Sequence, residues 1–424
     1  MKKFVFAIAL FSLTFISAQD LYLQCGNIVD TESGKVLKEK TIVVSGNKIK
    51  SVQNGFVNGS GDDITIDLKT KTVLPGFIDM HVHIEGESSP TRYIERFTKN
   101  PADVAFQSTV YAERTLMAGF TTVRDLGGSG VNIALRNAIN KGTIKGPRIF
   151  TAGKTIASTG GHGDPTNGMR EDLRGNPGPK EGVVNSPEDG KKAVRQRYKD
   201  GSDVIKITAT GGVMSVAKNG QNPQFTIEEI KAIVATAKDY GMLTAAHAHG
   251  DEGMRRAVVA GIKTIEHGTL MEEATMDLMV KHNTYLVPTI SAGKAAAKMA
   301  DIPGYLPPVV AKKAREIGPV SQVTFGKAYK KGVPIAFGTD AGVSPHGENG
   351  KEFGFMNEAG MPIMETIQAA TITNADLLGM ANELGQLKEG FIADIVAVDE
   401  DPTKNVSTLE NAVFVMKEGI IYKQ

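Results

Sequence analysis

The chain carries no charge field of one sign. Forty-eight Lys and Arg stand against 47 Asp and Glu, a formal charge of +1 over 424 residues, which removes the electrostatic case for a nucleic-acid or anionic-membrane partner. A small, locally recognised ligand is the default. Cysteine is nearly missing: Cys25 is alone and cannot form an intramolecular disulfide, and it follows Leu23-Gln24 rather than the small residues that precede a lipid-modified cysteine. No apolar run reaches the ~20 residues of a membrane-spanning helix, so stable membrane insertion is not expected. Low-complexity tracts are absent as well, and 41% apolar with 22% charged residues describe an ordinary globular protein.

What is present begins at the N-terminus. Lys2-Lys3 precede an apolar run from Phe4 to Ile16, and Ser17-Ala18 supply the small residues a signal peptidase accepts. We therefore expect residues 1–18 to be a cleaved signal peptide and the mature chain to be periplasmic or secreted, starting at Gln19.

From residue 76 to 384, short β-branched runs alternate with helical patterns, the signature of successive βα units around a parallel sheet. Eight strands are expected, at Gly76–His81, Gly119–Leu126, Arg148–Ala152, Asp203–Thr208, Leu243–His247, Ile262–His267, Tyr285–Thr289 and Val333–Asp340. Helical stretches lie between them, among them Ala102–Ala118, Ser186–Lys199 and Val309–Lys331. The expectation is an α/β fold, a (β/α)8 TIM barrel over 75–384. The flanks 19–74 and 385–424 read as short strands separated by turns, and together they would build a small β-sandwich. Between the third and fourth strands the connection from Gly153 to Ser202 is long and rich in Gly and Pro, which suggests a lid over the barrel mouth.

Seven of the eight histidines lie at or just beyond these strand ends, where barrels of this type carry their active sites. His81 and His83 are two apart on one strand and so share a face, the geometry of a pair of metal ligands; a hydrogen-bonded pair in a turn is the bland alternative. His162 follows the third strand, His247 and His249 close the fifth, His267 the sixth and Asp340 the eighth. In Val204-Ile205-Lys206-Ile207-Thr208 the lysine would point into the barrel, where burial favours the neutral amine. Such an amine can be paired with a carboxylate, or it can take up carbon dioxide as a carbamate that bridges two cations.

These motifs, together with Gly211-Gly212, Ile265-Glu266-His267-Gly268, Gly338-Thr339-Asp340-Ala341 and the C-terminal Gly385-Gln386-Leu387-Lys388-Glu389-Gly390-Phe391-Ile392-Ala393-Asp394, resemble the amidohydrolase superfamily. Within it they are similar to the prolidase and metallo-carboxypeptidase branch, which includes imidazolonepropionase-related sequences and ochratoxin amidases. The resemblance implies two divalent metal ions, zinc first among them. His81, His83 and Asp340 would hold one, His247 and His267 the other, and carboxylated Lys206 with a hydroxide would bridge the pair. It also implies that Asp340 acts as acid and base, and that His162 and His249 contact the oxyanion and the free carboxylate of the substrate. The implied activity is hydrolysis of the C-terminal amide bond of dipeptides or N-acyl amino acids, by a homo-oligomer.

Alternatives are a mononuclear site acting on a cyclic amide or as a deaminase, and an exported metal- or ligand-binding protein without turnover. A deaminase of this scaffold commonly has Glu three residues after the fifth-strand histidine, where this chain has Gly250, and it leaves Lys206 without a purpose. His346 is expected either to line the pocket or to cap its loop, and Arg124 to pair with Asp125 in the barrel wall in preference to a substrate carboxylate. His282, at a helix C-terminus, is given no chemistry.

Overall fold

Strand-forming residues at both chain ends meet in one sheet. The computed structural model describes residues 19–217 and 219–424; the leader expected at 1–18 lies outside the described residues. Strands β1 (Leu21–Asp30), β2 (Lys35–Ser45), β3 (Lys48–Asn54) and β4 (Ile64–Pro75) come from the N-terminal flank. The barrel contributes β5 (Phe77–Val82), β6 (Phe120–Asp125), β7 (Arg148–Thr151), β8 (Val204–Thr208), β9 (Leu243–Gly250), β10 (Thr264–Leu270) and β11 (Tyr285–Val287). The tail adds β12 (Ile395–Val398), β13 (Phe414–Lys417) and β14 (Ile420–Lys423).

The terminal sheet runs β14-β13-β12-β4-β1-β2-β3, with β12 antiparallel to β4 and Ile395 opposite Pro75. The sandwich expected from the two flanks takes the form of this one continuous sheet. Ile42, Val44 and Ile49 from one end share a buried cluster with Ile395, Ala397, Phe414 and Met416 from the other, so the sheet folds over its own apolar face. Ile49 N–H donates to the Phe391 carbonyl at 2.9 Å and ties the first edge to the segment leading into β12.

In the barrel, β5-β6-β7 and β8-β9-β10-β11 are parallel sheets. The eighth position, residues 333–341, makes isolated bridges rather than a regular strand, Ile335 to Leu286 and Ala341 to Val82, and its bonds join the neighbours on both sides. Ala336 N–H donates to Leu286 O (2.9 Å), Met80 N–H to Phe337 O (3.0 Å) and Asp340 N–H to His81 O (2.7 Å). Across the other gap Asp203 N–H donates to Thr151 O and Ile156 N–H to Lys206 O, each at 2.8 Å. These bonds complete the ring.

One connection differs from expectation. The helix expected over Val309–Lys331 breaks into Pro308–Ile317 and Ser321–Lys331, with a 3-10 turn at Gly318–Val320 between them. Pro319 has no amide hydrogen for a continuing helix, and Gly318 crosses the helix Ile290–Ala300 so closely that a Cβ there would lie 2.5 Å from the Gly293 carbonyl. The long connection after β7 contains the helix Pro187–Asp200, started by Pro187 and a Ser186 side chain that accepts from Asp189 N–H, and stopped by Gly201 at φ 94. Among the described residues no helix is long and apolar enough to cross a membrane.

Candidate active site

A cavity of about 660 Å³ opens at the C-terminal ends of the barrel strands. His81, His83, His162, Lys206, His247, His249, His267 and Asp340, all of the candidate site residues, line it together. Alternation along β5 turns His81 and His83 to this side while Val82 is buried in the hydrophobic core.

The hydrogen bonds at the ring nitrogens decide which atoms face the cavity. His83 Nδ1 lies 2.7 Å from the Gly127 carbonyl. A carbonyl only accepts, so Nδ1 carries the proton and Nε2 keeps its lone pair. His81 Nδ1 meets the Glu266 carboxylate at 2.9 Å, with the same result. His247 is reversed: its Nε2 donates to the Gly211 carbonyl at 3.1 Å, which leaves Nδ1 as the basic atom. His267 and His249 place Nδ1 on the hydroxyls of Thr289 (2.7 Å) and Thr269 (2.9 Å). Tying one nitrogen to an oxygen while the other is aimed at a common point is how metal-ligating histidines are oriented.

His81 Nε2 and Asp340 Oδ1 are among the buried cavity atoms without a hydrogen-bond partner, and they face each other at 3.5 Å. His83 Nε2 lies 3.4 Å from the same oxygen. Donor atoms of His81, His267 and Asp340 lie within 4.8 Å of one another, and so do those of His247, His249 and His267. The donor set fits divalent cations, with His267 common to both groups. His249, assigned by resemblance to substrate rather than metal, brings a nitrogen into the second group.

Burial lowers the pKa of every one of these imidazoles, His83 and His249 to about 3, so they are neutral and available as ligands. Burial also raises the Asp340 carboxyl to about 7 and lowers the Lys206 amine to about 8. Among the described residues no carboxylate lies within ion-pair distance of Lys206, although the amine is only 3% exposed. The backbone is strained at this rim: His267 (φ 73), Asp340 (φ 57) and the β-branched Thr289 (φ 49) all occupy the left-handed region, a cost that clusters at functional sites.

The sequence model of the amidohydrolase family matches residues 72–423. The chain belongs to the amidohydrolase family. Ochratoxinase of Aspergillus niger is 31% identical over 372 residues, covering 84% of this chain and 76% of that protein. Among solved structures, a Xaa-Pro dipeptidase with methionine bound in its active site superposes with a TM-score of 0.93 at 50% identity, covering 96% of this chain and all of that one. A prolidase complexed with N-methylphosphonate-L-proline gives 0.88 at 32% identity over the same shares. The likeness falls on the prolidase and ochratoxinase side of the family, as the motifs implied, and this amidohydrolase is a hydrolase of carbon–nitrogen bonds.

One residue sits elsewhere than expected, and another takes the second of its two expected places. Arg124 does not pair with Asp125. Adjacent strand residues face opposite ways, so Arg124 points inward to Glu266 (2.8 Å) and the Met80 carbonyl, while Asp125 accepts from Ile84 N–H and the Asn132 amide. His346 donates to the Gly86 carbonyl at 2.9 Å and stacks on Tyr111, a loop cap outside the cavity. Reading strand ends alone missed the apolar wall of Val213, Met214, Val216 and Ile317, the rim residues Arg92 and Tyr93, and Lys313. None of these carries a motif.

Proposed function

We propose that this chain is an exported, binuclear metal-dependent amidohydrolase that cleaves the C-terminal amide bond of dipeptides or N-acyl amino acids. The observation that carries the reading is Lys206, a buried amine among the ligand atoms with no carboxylate within ion-pair distance among the described residues. The neutral amine that burial favours attacks carbon dioxide: one N–C bond forms, one C–O π bond opens, one proton leaves the nitrogen, and the product is a two-oxygen anion. That anion would span two ions, zinc first among the candidates, one held by His81, His83 and Asp340 and the other by His247 and His267. When bound, the ions supply an acidified water and a polarised carbonyl.

The remaining work belongs to side chains. Asp340 takes a proton from the attacking water and returns it to the departing nitrogen. His162, whose buried Nδ1 has no hydrogen-bond partner among the described residues, and His249 would receive the oxyanion and the substrate carboxylate. Val213, Met214 and Val216 offer an apolar wall to the rest of the substrate. The relatives bound to methionine and to a proline phosphonate support an amino-acid-sized ligand. Lys2-Lys3 and the apolar run after them support export.

The test is a matrix of dipeptides and N-acyl amino acids, offered to metal-loaded enzyme, with amino-acid release as the readout and metal content measured in parallel. Release from a subset of the matrix, with two ions per chain, is expected. No release from any member would overturn the reading.

A further inference from the structure

The loop that follows β8 lines one side of the cavity. Val213, Met214, Ser215 and Val216 line the cavity, and the peptide groups beside them reach the candidate ligands. The Gly211 carbonyl accepts the His247 Nε2 proton at 3.1 Å. The His162 ring lies so close to Gly212 that a Cβ there would stand 2.2 Å from it. A shift of this loop would therefore move His162, release the hydrogen bond that fixes the His247 tautomer, and reshape the pocket.

One side chain makes three bonds to this loop. Lys313, on the helix Pro308–Ile317, is 5% exposed, and its ammonium donates to three carbonyls: Gly212 at 2.7 Å, Ser215 at 2.8 Å and Ala217 at 2.8 Å. An ammonium has three donors and no acceptor, so every donor is used, and no carboxylate among the described residues lies within ion-pair distance. Three converging carbonyls from one short loop are a cation site filled by a covalently attached cation. The Tyr93 hydroxyl adds a bond to the Met214 carbonyl at 2.7 Å from across the cavity mouth.

We propose that Lys313 is a positioning residue for hydrolysis, acting through the 212–217 loop on the substrate wall, on His162 and on the His247 tautomer. It touches neither substrate nor metal. The inference rests on the hydrolytic reading above, so the parent enzyme is the control: a parent that releases no amino acid from any substrate overturns that reading, whereas an active parent leaves only Lys313 in question.

The experiment uses Lys313→Ala and Lys313→Arg with full-length enzyme, on a dipeptide that the parent cleaves. Lys313→Ala should raise KM about tenfold, with a smaller fall in kcat, and hydrogen exchange of the 212–217 amides should accelerate. Ammonium or methylammonium ions should restore both KM and exchange protection by occupying the vacated carbonyls. Tetramethylammonium, which has no N–H donor, should restore neither. Lys313→Arg keeps the charge, but its planar fork cannot converge on three carbonyls, so its KM should rise too; this variant decides the matter if Lys313→Ala does not fold. Parent KM and exchange in Lys313→Arg, or a folded Lys313→Ala whose defect ammonium does not relieve, would overturn the proposal.

Discussion

His81 and Glu266 form a sealed pair at the floor of the cavity: Nδ1 lies 2.9 Å from Oε2, with side-chain exposures of 1% and 0%. The second carboxylate oxygen receives Arg124 at 2.8 Å, so a single buried anion fixes the His81 tautomer on one side and neutralises a buried guanidinium on the other. The two halves of the barrel are joined here, since His81 is on β5, Arg124 on β6 and Glu266 on β10.

Replacing this anion tests both duties. Glu266→Gln keeps the shape but removes the charge, leaving His81 less basic and Arg124 uncompensated. Metal affinity should fall roughly 10–100-fold, as for other partners of metal-bound histidines, and the melting temperature should drop because an unpaired buried guanidinium costs several kcal/mol, about 3–5 in comparable cases. Metal titration and thermal unfolding on the same preparation would check it. Unchanged values in both would mean that the pair is incidental.

Asp340 separates an enzyme from a binding protein. Asp340→Asn keeps a ligand oxygen but cannot carry a proton, so kcat on a cleaved dipeptide should fall by roughly 10²–10⁴ while binding of the product amino acid persists. If turnover survives in the amide variant, proton transfer must be assigned to another group.

The histidines were legible because strands have a period of two and barrels place chemistry at strand ends, so His81, His83, His247 and His267 announce themselves by position alone. Glu266 stood inside a quoted motif without a task, because its partners come from β5 and β6, which are remote in sequence. Arg124 was matched to its chain neighbour when the partner lay across the barrel interior. Lys313 left no trace at all: its acceptors are backbone carbonyls, which every residue possesses. Pro319 did mark the helix break, but an apolar pattern continuing on both sides concealed it.

Cys25 reports on the terminal sheet. It is fully buried on β1, and burial pushes its thiol up to about 12, against ~8.5 for an exposed thiol. Folded protein should resist a thiol reagent even at about pH 9, where an exposed cysteine is largely thiolate, and should react stoichiometrically in denaturant. The sign of the linkage follows. Between these two values the folded chain keeps a proton that the unfolded chain loses, so this group's contribution to stability declines as pH rises through the window. Rapid labelling of the native protein at this cysteine would show that the sheet opens or that β1 is not sealed.

Lys206 gives the opposite slope. In metal-free, carbonate-depleted protein its amine is lowered to about 8 by burial, against ~10.4 in an unfolded chain. Between those values the unfolded state holds one more proton, so stability rises with pH across the window, and the burial penalty is fully present below about pH 8. Lys206→Met removes that penalty. The variant should therefore melt above the parent at neutral pH, and the gap should close toward about pH 10.4. Supplying bicarbonate with metal should reverse the order: the parent gains the bridging ligand and the second ion, while Lys206→Met takes up fewer ions and loses hydrolysis. A gap that widens with rising pH, or equal metal uptake by both proteins, would show that Lys206 is neither a neutral amine in the apo state nor a ligand in the loaded one.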